Sequence, residues 1–196
     1  MSAFCTQADI ENLLQMDLSG HEVAATAAIM QARAYIQAYT DQMLEKVEDD
    51  EVVFDGPARD RRLFLPELPV IAVSEVVEED EVLTVDDDYK LGAHGILWRI
   101  GAYWASGIQN ISVTYTHGYA AIPEDIVAVC ARVAARIYQA GLRASDTGGV
   151  AGVQSTTLGD YSVAYATSGD EAVAGVTAAP PLLPTEMALL DRYAPR

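Results

Sequence analysis

Between residues 111 and 116 apolar and polar side chains alternate without a break (Ile111, Ser112, Val113, Thr114, Tyr115, Thr116). That is the period of a strand with one face buried and the other wet. The alternation ends at His117-Gly118. Pro123 follows, at a first helical position where its missing N–H would have had no partner, and Glu124 and Asp125 put negative charge in the turn where the helix dipole favours it. Beyond them Ile126, Cys130, Val133, Ile137 and Ala140 recur at spacings of four and three, and Val127, Ala131, Ala134 and Tyr138 fill the adjoining arc. At about 100° per residue the two sets cover nearly half a helix circumference. The pattern predicts a long, mostly buried central helix over 123–143, with Arg132, Arg136 and Arg143 on a strip at its edge.

The same periods organise the flanks. Thr6 and Asp9 resemble a capping box opening a first helix, with Ile10, Leu13, Leu14 and Leu18 on its apolar side. Ser19 and Glu22 form an S-x-x-E box before a second helix, whose stripe is Ala25, Ile29, Ala32, Ile36, Tyr39 and Met43. This alanine-rich seam permits close approach, and the central helix is its expected partner. The acids of 45–51 end that helix. From about 52 to 117 short β-prone runs alternate with breakers such as Asp55-Gly56-Pro57, Pro66, Pro69, the acids at 78–81 and 86–88, and Gly95. The expected fold is therefore α+β: two N-terminal helices and the central helix in a small bundle, with an inserted antiparallel lobe of β-hairpins. Residues 144–159 have no period and read as a mobile loop, and 160–166 resume strand alternation. The main domain is expected to span 1–166, with 167–196 a flexible linker and a C-terminal helix. That helix carries Leu183, Met187 and Leu190 on one face, followed by Tyr193. Isolated helices under about 12 residues are marginal in water, so it should need a surface to dock against.

Composition changes the picture in one respect: 29 acidic residues oppose 12 basic ones, for a net charge of −17. Such a surface repels phosphate and argues against sequence-specific binding to free DNA or adhesion to anionic membranes. There is no basic-then-apolar leader and no run long enough to cross a bilayer, so the chain is expected in the cytosol when made. Cys5 and Cys130 read as free thiols in a reducing compartment. The search for chemistry finds no metal-ligand spacing among His21, His94 and His117. The glycines of 148–152 lack the Gly-Lys-Ser/Thr of a phosphate loop, and there is no G-x-S-x-G. No cofactor, metal or catalytic residue is predicted. Arg59-Asp60-Arg61-Arg62 is the only dense basic cluster. It reads either as a surface loop paired with neighbouring acids or as a polar docking contact, through Arg59, Arg61 and Arg62, with an acidic partner or phosphate.

Taken together, Tyr115-Thr116-His117-Gly118-Tyr119, Ile122-Pro123-Glu124-Asp125-Ile126 with its alanine-rich helix, and Leu158-Gly159-Asp160-Tyr161-Ser162-Val163-Ala164-Tyr165 resemble the head-to-tail connector (adaptor) proteins of long-tailed double-stranded DNA bacteriophages. The tail from Leu183 to Tyr193 is similar to the C-terminal segment of such proteins from actinobacterial phages. The resemblance implies a non-enzymatic structural virion protein. It would form a homo-oligomeric, dodecameric adaptor ring under the portal protein in the neck, above a stopper or tail-completion protein, after assembly in the host cytoplasm. Genomic DNA would pass through the ring without specific binding, and Leu183, Met187, Leu190 and Tyr193 would dock on the portal or a neighbouring subunit. Another neck or tail-end ring component (a stopper or tail terminator) is the alternative, and a small enzyme a more distant one. An acidic wall suits a channel along which DNA must slide without sticking. The free subunit should accordingly show no measurable affinity for duplex DNA at ~0.15 M salt. Fluorescence anisotropy checks this, and tight, salt-sensitive binding would contradict it.

Overall fold

The computed structural model describes residues 4–146, 155–158, 161–164 and 182–194. These contain the helices α1 (Gln7–Leu14), α2 (Glu22–Thr40), α3 (Glu124–Asp146) and α4 (Pro184–Leu190). The strands are β1 (Val47–Gly56), β2 (Arg62–Phe64), β3 (Val70–Glu78), β4 (Glu81–Val82), β5 (Tyr89–Leu91), β6 (Ile96–Arg99), β7 (Gly107–His117), β8 (Ser155–Leu158) and β9 (Tyr161–Ala164). The fold is α+β, with antiparallel sheets ordered β1-β7-β3-β4, β2-β6-β5 and β8-β9. Two compact units divide the chain.

One unit comprises Ile36–Val127 with Phe4 and the chain from Ala188. Its centre is β7. The alternating side chains Ile111, Val113 and Tyr115 are fully buried, and β7 pairs with β1 on one edge and β3 on the other. Val113 lies opposite both Val52 and Val76, so one inward position gathers apolar partners from the two flanking strands. The three-stranded sheet adds Leu63, Tyr89 and Leu97 to the same cluster, with Leu65, Leu83 and Trp104 from the connections. Two sheets thus bury one common core. The expected antiparallel lobe of hairpins is present, with long-range pairings added to it. β3–β4 and β5–β6 are hairpins, but β1 and β3 meet β7 across long sequence separations. Bulges in β1 and β3 break their alternation, which is why neither strand shows a clean period. The acids of 78–81 sit in the β3–β4 turn, where Glu79 and Asp80 both adopt left-handed φ (49° and 68°).

The boundary between helix and lobe also differs from expectation. α2 ends at Thr40, whose hydroxyl donates back to the Ile36 carbonyl at 3.0 Å, and Asp41 turns left-handed (φ 50°). The acids that follow belong to β1. Their polar contacts lie along its wet face, where Ser74 Oγ donates to Asp49 (2.8 Å) and Ser112 Oγ to Glu51 (2.9 Å). Gly118 is held at φ +83°, with the Glu45 carbonyl oxygen only 2.2 Å from where a Cβ would stand, so only glycine fits the exit from β7.

The second unit comprises Cys5–Tyr35 and Ala128–Met187. The Thr6 capping box forms as expected: Asp9 N–H donates to Thr6 Oγ1 (3.3 Å) and Thr6 N–H to Asp9 Oδ2 (2.7 Å). The Ser19–Glu22 box does not. Ser19 N–H donates to Asp17 Oδ1 (2.8 Å) and the Ser19 hydroxyl bonds the same oxygen, while the Glu22 carboxylate accepts from Gly20 N–H (3.0 Å). On α2, Ala25, Ala28 and Ala32 are buried, whereas Ile29 is only half-buried. The buried face is rotated toward the small side chains. Ala24, Ala27, Ala28 and Gln31 face Ile137, Tyr138, Gly141 and Leu142 across a shallow cleft. On α3, Val129, Cys130, Val133 and Ala134 are fully buried, while Ile137 is half-buried and Ala140 exposed. α3 runs to Asp146 and Ser155–Leu158 pairs with Tyr161–Ala164, so 144–146 and 155–158, expected in a loop, are helix and strand, and the rest of the expected loop lies outside the described residues. The expected linker 167–181 lies outside the described residues. Val133→Asp should abolish soluble folding, since an unpaired charge at a fully buried site costs several kcal/mol. Solubility and circular dichroism check this, and a folded variant with unchanged melting would overturn the assignment of the α3 face.

Candidate functional site

The basic cluster of 59–62 lies at the start of β2, and all three arginines are exposed. Arg59 takes a left-handed backbone (φ 56°) in the turn after Pro57. Arg62 is bound to Asp60 through Nε (3.2 Å) and Nη2 (3.1 Å), and that hydrogen-bonded partner holds the Asp60 carboxyl below its usual range. The Arg62 guanidinium also lies 5.8 Å from the Phe64 ring centroid, and that of Arg61 5.3 Å from the ring of Tyr103. Arg62 therefore follows the surface-pairing expectation, while its other face and Arg61 stay available.

The aromatic setting of these arginines was not visible in the linear sequence. In the β2-β6-β5 sheet Arg62 lies opposite Trp98, Trp98 opposite Lys90, and Phe64 opposite Ile96. Directly opposed residues share a face, and Leu63 and Leu97 occupy the buried one. Phe64, Trp98, Arg62 and Lys90 thus form the outer face, with Phe64 56% and Trp98 45% exposed. A basic and aromatic patch stands out on a chain of net charge −17. Behind it, Arg99 is nearly buried and fixed by Glu78 (Nη2–Oε2 3.1 Å), the Asp88 carbonyl (2.7 Å) and the Trp104 ring (5.8 Å). Glu78 Oε1 accepts from Ala105 N–H (2.7 Å) and Trp104 Nε1 donates to the Arg61 carbonyl (3.0 Å), so the arginine loop rests on a rigid support.

The C-terminal helix, expected to need a docking surface, makes polar contacts with residues of its own chain. Glu186 is buried, and its carboxylate is gripped by Arg136 Nη1 (2.8 Å) and Nη2 (2.6 Å) on α3 and by Leu183 N–H (2.9 Å). Burial pushes the Glu186 carboxyl up, but the Arg136 and Leu183 hydrogen bonds outweigh it, leaving it below the ordinary value. Tyr193 O–H donates to Asp125 (2.6 Å), and Tyr39 O–H donates to Asp191 (2.5 Å). Burial and then the Asp125 bond raise the Tyr193 phenol to about 12, so it remains a donor at any physiological pH. Leu190 is 1% exposed, Met187 and Tyr193 are half-buried, and Leu183 is exposed. Of the four expected docking residues, Leu183 alone presents an open side chain. The charged pair that fastens the helix is separated by 50 positions and had no signal in the sequence.

The histidines do not converge on a shared function. His94 is exposed in a tight turn, and His21 meets Tyr138 edge-on at 6.3 Å. His117 is buried beside Tyr115 with Nε2 3.3 Å from Asp50. Among the described residues no group of three or more His, Cys, Asp or Glu is placed to hold a metal ion.

A family profile described as head completion protein matches residues 3–157. A search of curated proteins gives no match. Among solved structures, the chain is similar to one from the neck of a native gene transfer agent particle computed with C12 symmetry. The identity is 15%, with 89% of this chain and 84% of that chain covered and a TM-score of 0.50. It is also similar to a chain from the virion of the native gene transfer agent particle, at 15% identity, 89% and 78% coverage and a TM-score of 0.47. Arg136→Met should leave the Glu186 carboxylate buried and unpaired. The cost is expected at the low end of roughly 3–5 kcal/mol, because Arg136 is about a third exposed. Hydrogen exchange at the Glu186 and Met187 amides reports the loss. In the unaltered chain the depressed carboxyl makes this contribution full above the free glutamate value of 4.5 and lost as pH falls through the lower folded value. α4 should therefore loosen only under acid, and loosening near neutrality would contradict the pairing.

Proposed function

The chain belongs to the head completion protein family, and we propose that it is the adaptor subunit of a phage-type neck, forming a dodecameric ring under the portal that prolongs the DNA channel. The family match over residues 3–157 carries this reading. The likeness to a neck chain solved with twelvefold symmetry supports a ring. The charge distribution agrees with the role. A predominantly acidic surface gives passing DNA no counterion-releasing contacts to hold it, and the basic-aromatic patch offers an acidic neighbour a localised place to bind. Repetition around a ring turns modest contacts into firm attachment, because each bond raises the effective concentration of the next.

Docking on the portal or an adjacent subunit is assigned to Leu183, with Met187 beside it, and to Arg59, Arg61 and Arg62. Leu190 and Tyr193 act indirectly by holding α4 in place. Particles lacking this chain should be filled heads without tails, and purified subunit added back should restore tail attachment and a ring at the head vertex in electron micrographs. Heads that join tails normally without the chain would refute the role. Leu183→Asp, and separately Arg61→Glu with Arg62→Glu, should leave the subunit's melting temperature nearly unchanged yet lower attachment to portal-bearing heads at least about tenfold, the loss of one buried anchor or charge pair. Unimpaired attachment in both variants would move the docking surface elsewhere.

A further inference from the structure

The chain has two cysteines, and the fold brings them together. Cys5 Sγ lies 3.0 Å from Cys130 Sγ, both side chains are buried, and 125 positions of sequence separate them. Neither thiol has a role in the docking or channel functions above. A disulfide requires the sulfurs to close to about 2.05 Å, a movement of about 1 Å from the observed contact. We infer that Cys5 and Cys130 are the two halves of a redox-closed staple: dithiol while the chain is made, and an intramolecular disulfide once the protein meets a small-molecule disulfide oxidant outside a reducing cytosol.

The surroundings set the order of events. The hydrogen bond from the Cys130 S–H favours the Cys5 thiolate against burial and the nearby Asp9 charge, whereas the Cys130 thiol is pushed up by that bond and by burial. Cys5 is the attacking sulfur. It lies one residue before the Thr6 cap, outside the hydrogen-bonded turns of α1, so a local opening of the capped end exposes it without unfolding the helix. Cys130 lies within the hydrogen-bonded turns of α3, seven residues in, and has no such route. The Cys5 thiolate attacks one sulfur of the oxidant, forming a mixed disulfide and expelling one thiolate, which takes up a proton. Cys130, losing its proton, then attacks the Cys5 sulfur and expels the second thiolate. The two protein thiols lose two hydrogens and two electrons in all, and the oxidant becomes two thiols. The closed loop would enclose α2 and the whole β lobe, and cross-links over loops of this length restrict the unfolded chain strongly.

The experiment uses the full chain, reduced and then incubated with oxidised glutathione. Peptide mapping should show Cys5 joined to Cys130 in most molecules, with the monomer lighter by two hydrogens and the melting temperature raised by several degrees, reversibly on adding dithiothreitol. In Cys130→Ala the Cys5–glutathione adduct should accumulate, since nothing resolves it. If that variant fails to fold, the wild-type map decides alone. Thiols left unreacted, one glutathione on each cysteine, or disulfides between two chains would each overturn the inference.

Discussion

A strand paired on both edges has no freedom of register, and β7 is such a strand. Its buried side chains Ile111, Val113 and Tyr115 meet β1 on one side and β3 on the other. Slipping by one residue would turn all three to the wet face and bring Ser112 and Thr114 inward, so hydrophobic burial and the hydrogen-bond ladders enforce the same alignment. The three-stranded sheet closes over that core, and the arginine loop is supported from beneath by Arg99 and Trp104. The position of the basic-aromatic patch is thus a consequence of the β7 register, transmitted through a packed core rather than through any contact of the patch itself.

Charge in this protein is sorted rather than balanced. Two arginines pair where a carboxylate would otherwise be buried, Arg99 with Glu78 and Arg136 with Glu186, whereas Lys46, Arg62 and Lys90 pair with acids at the surface. Most other acids lie on wet faces and turns, and the net charge is −17. Arginine is concentrated beside aromatic rings at one place, the outer face of the β2-β6-β5 sheet. On so acidic a chain such a patch is electrostatically distinct from its surroundings, which is the condition under which like-charge repulsion elsewhere sharpens selectivity.

What the sequence disclosed follows from how local each cause is. The Thr6–Asp9 box, the β7 alternation and the Pro123 start of α3 depend on residues a few positions apart, and each stands where it was expected. The Ser19–Glu22 box failed because Asp17, two residues away, bound the Ser19 backbone and hydroxyl instead. The α2 stripe was displaced by one position, from Ile29 to Ala28, because burial is set by what packs on the helix and not by its own period. The fastening of α4 lay beyond local reach, since Arg136 and Glu186 carry no mutual signal in the linear chain. The basic cluster was legible as a cluster, but its aromatic neighbours Phe64, Trp98 and Tyr103 come from three separate segments. Likewise, Cys130 reads as an ordinary helix-core residue until the fold sets it against Cys5.

The pairing of β1 with β7 also bears on synthesis. Contacts such as Ser112 with Glu51 and Thr116 with Asp49 span 61 and 67 positions, so β1 leaves the ribosome long before its partner exists. During that interval Val52-Val53-Phe54 is an unpaired, apolar strand, open to association with the same segment of another nascent chain. Glu48, Asp49, Asp50 and Glu51 stand immediately ahead of it. Their mutual repulsion acts as a gatekeeper during that wait, discouraging two waiting strands from pairing with each other. The acids of β1 thus serve the chains being made side by side as much as the structure of any one of them.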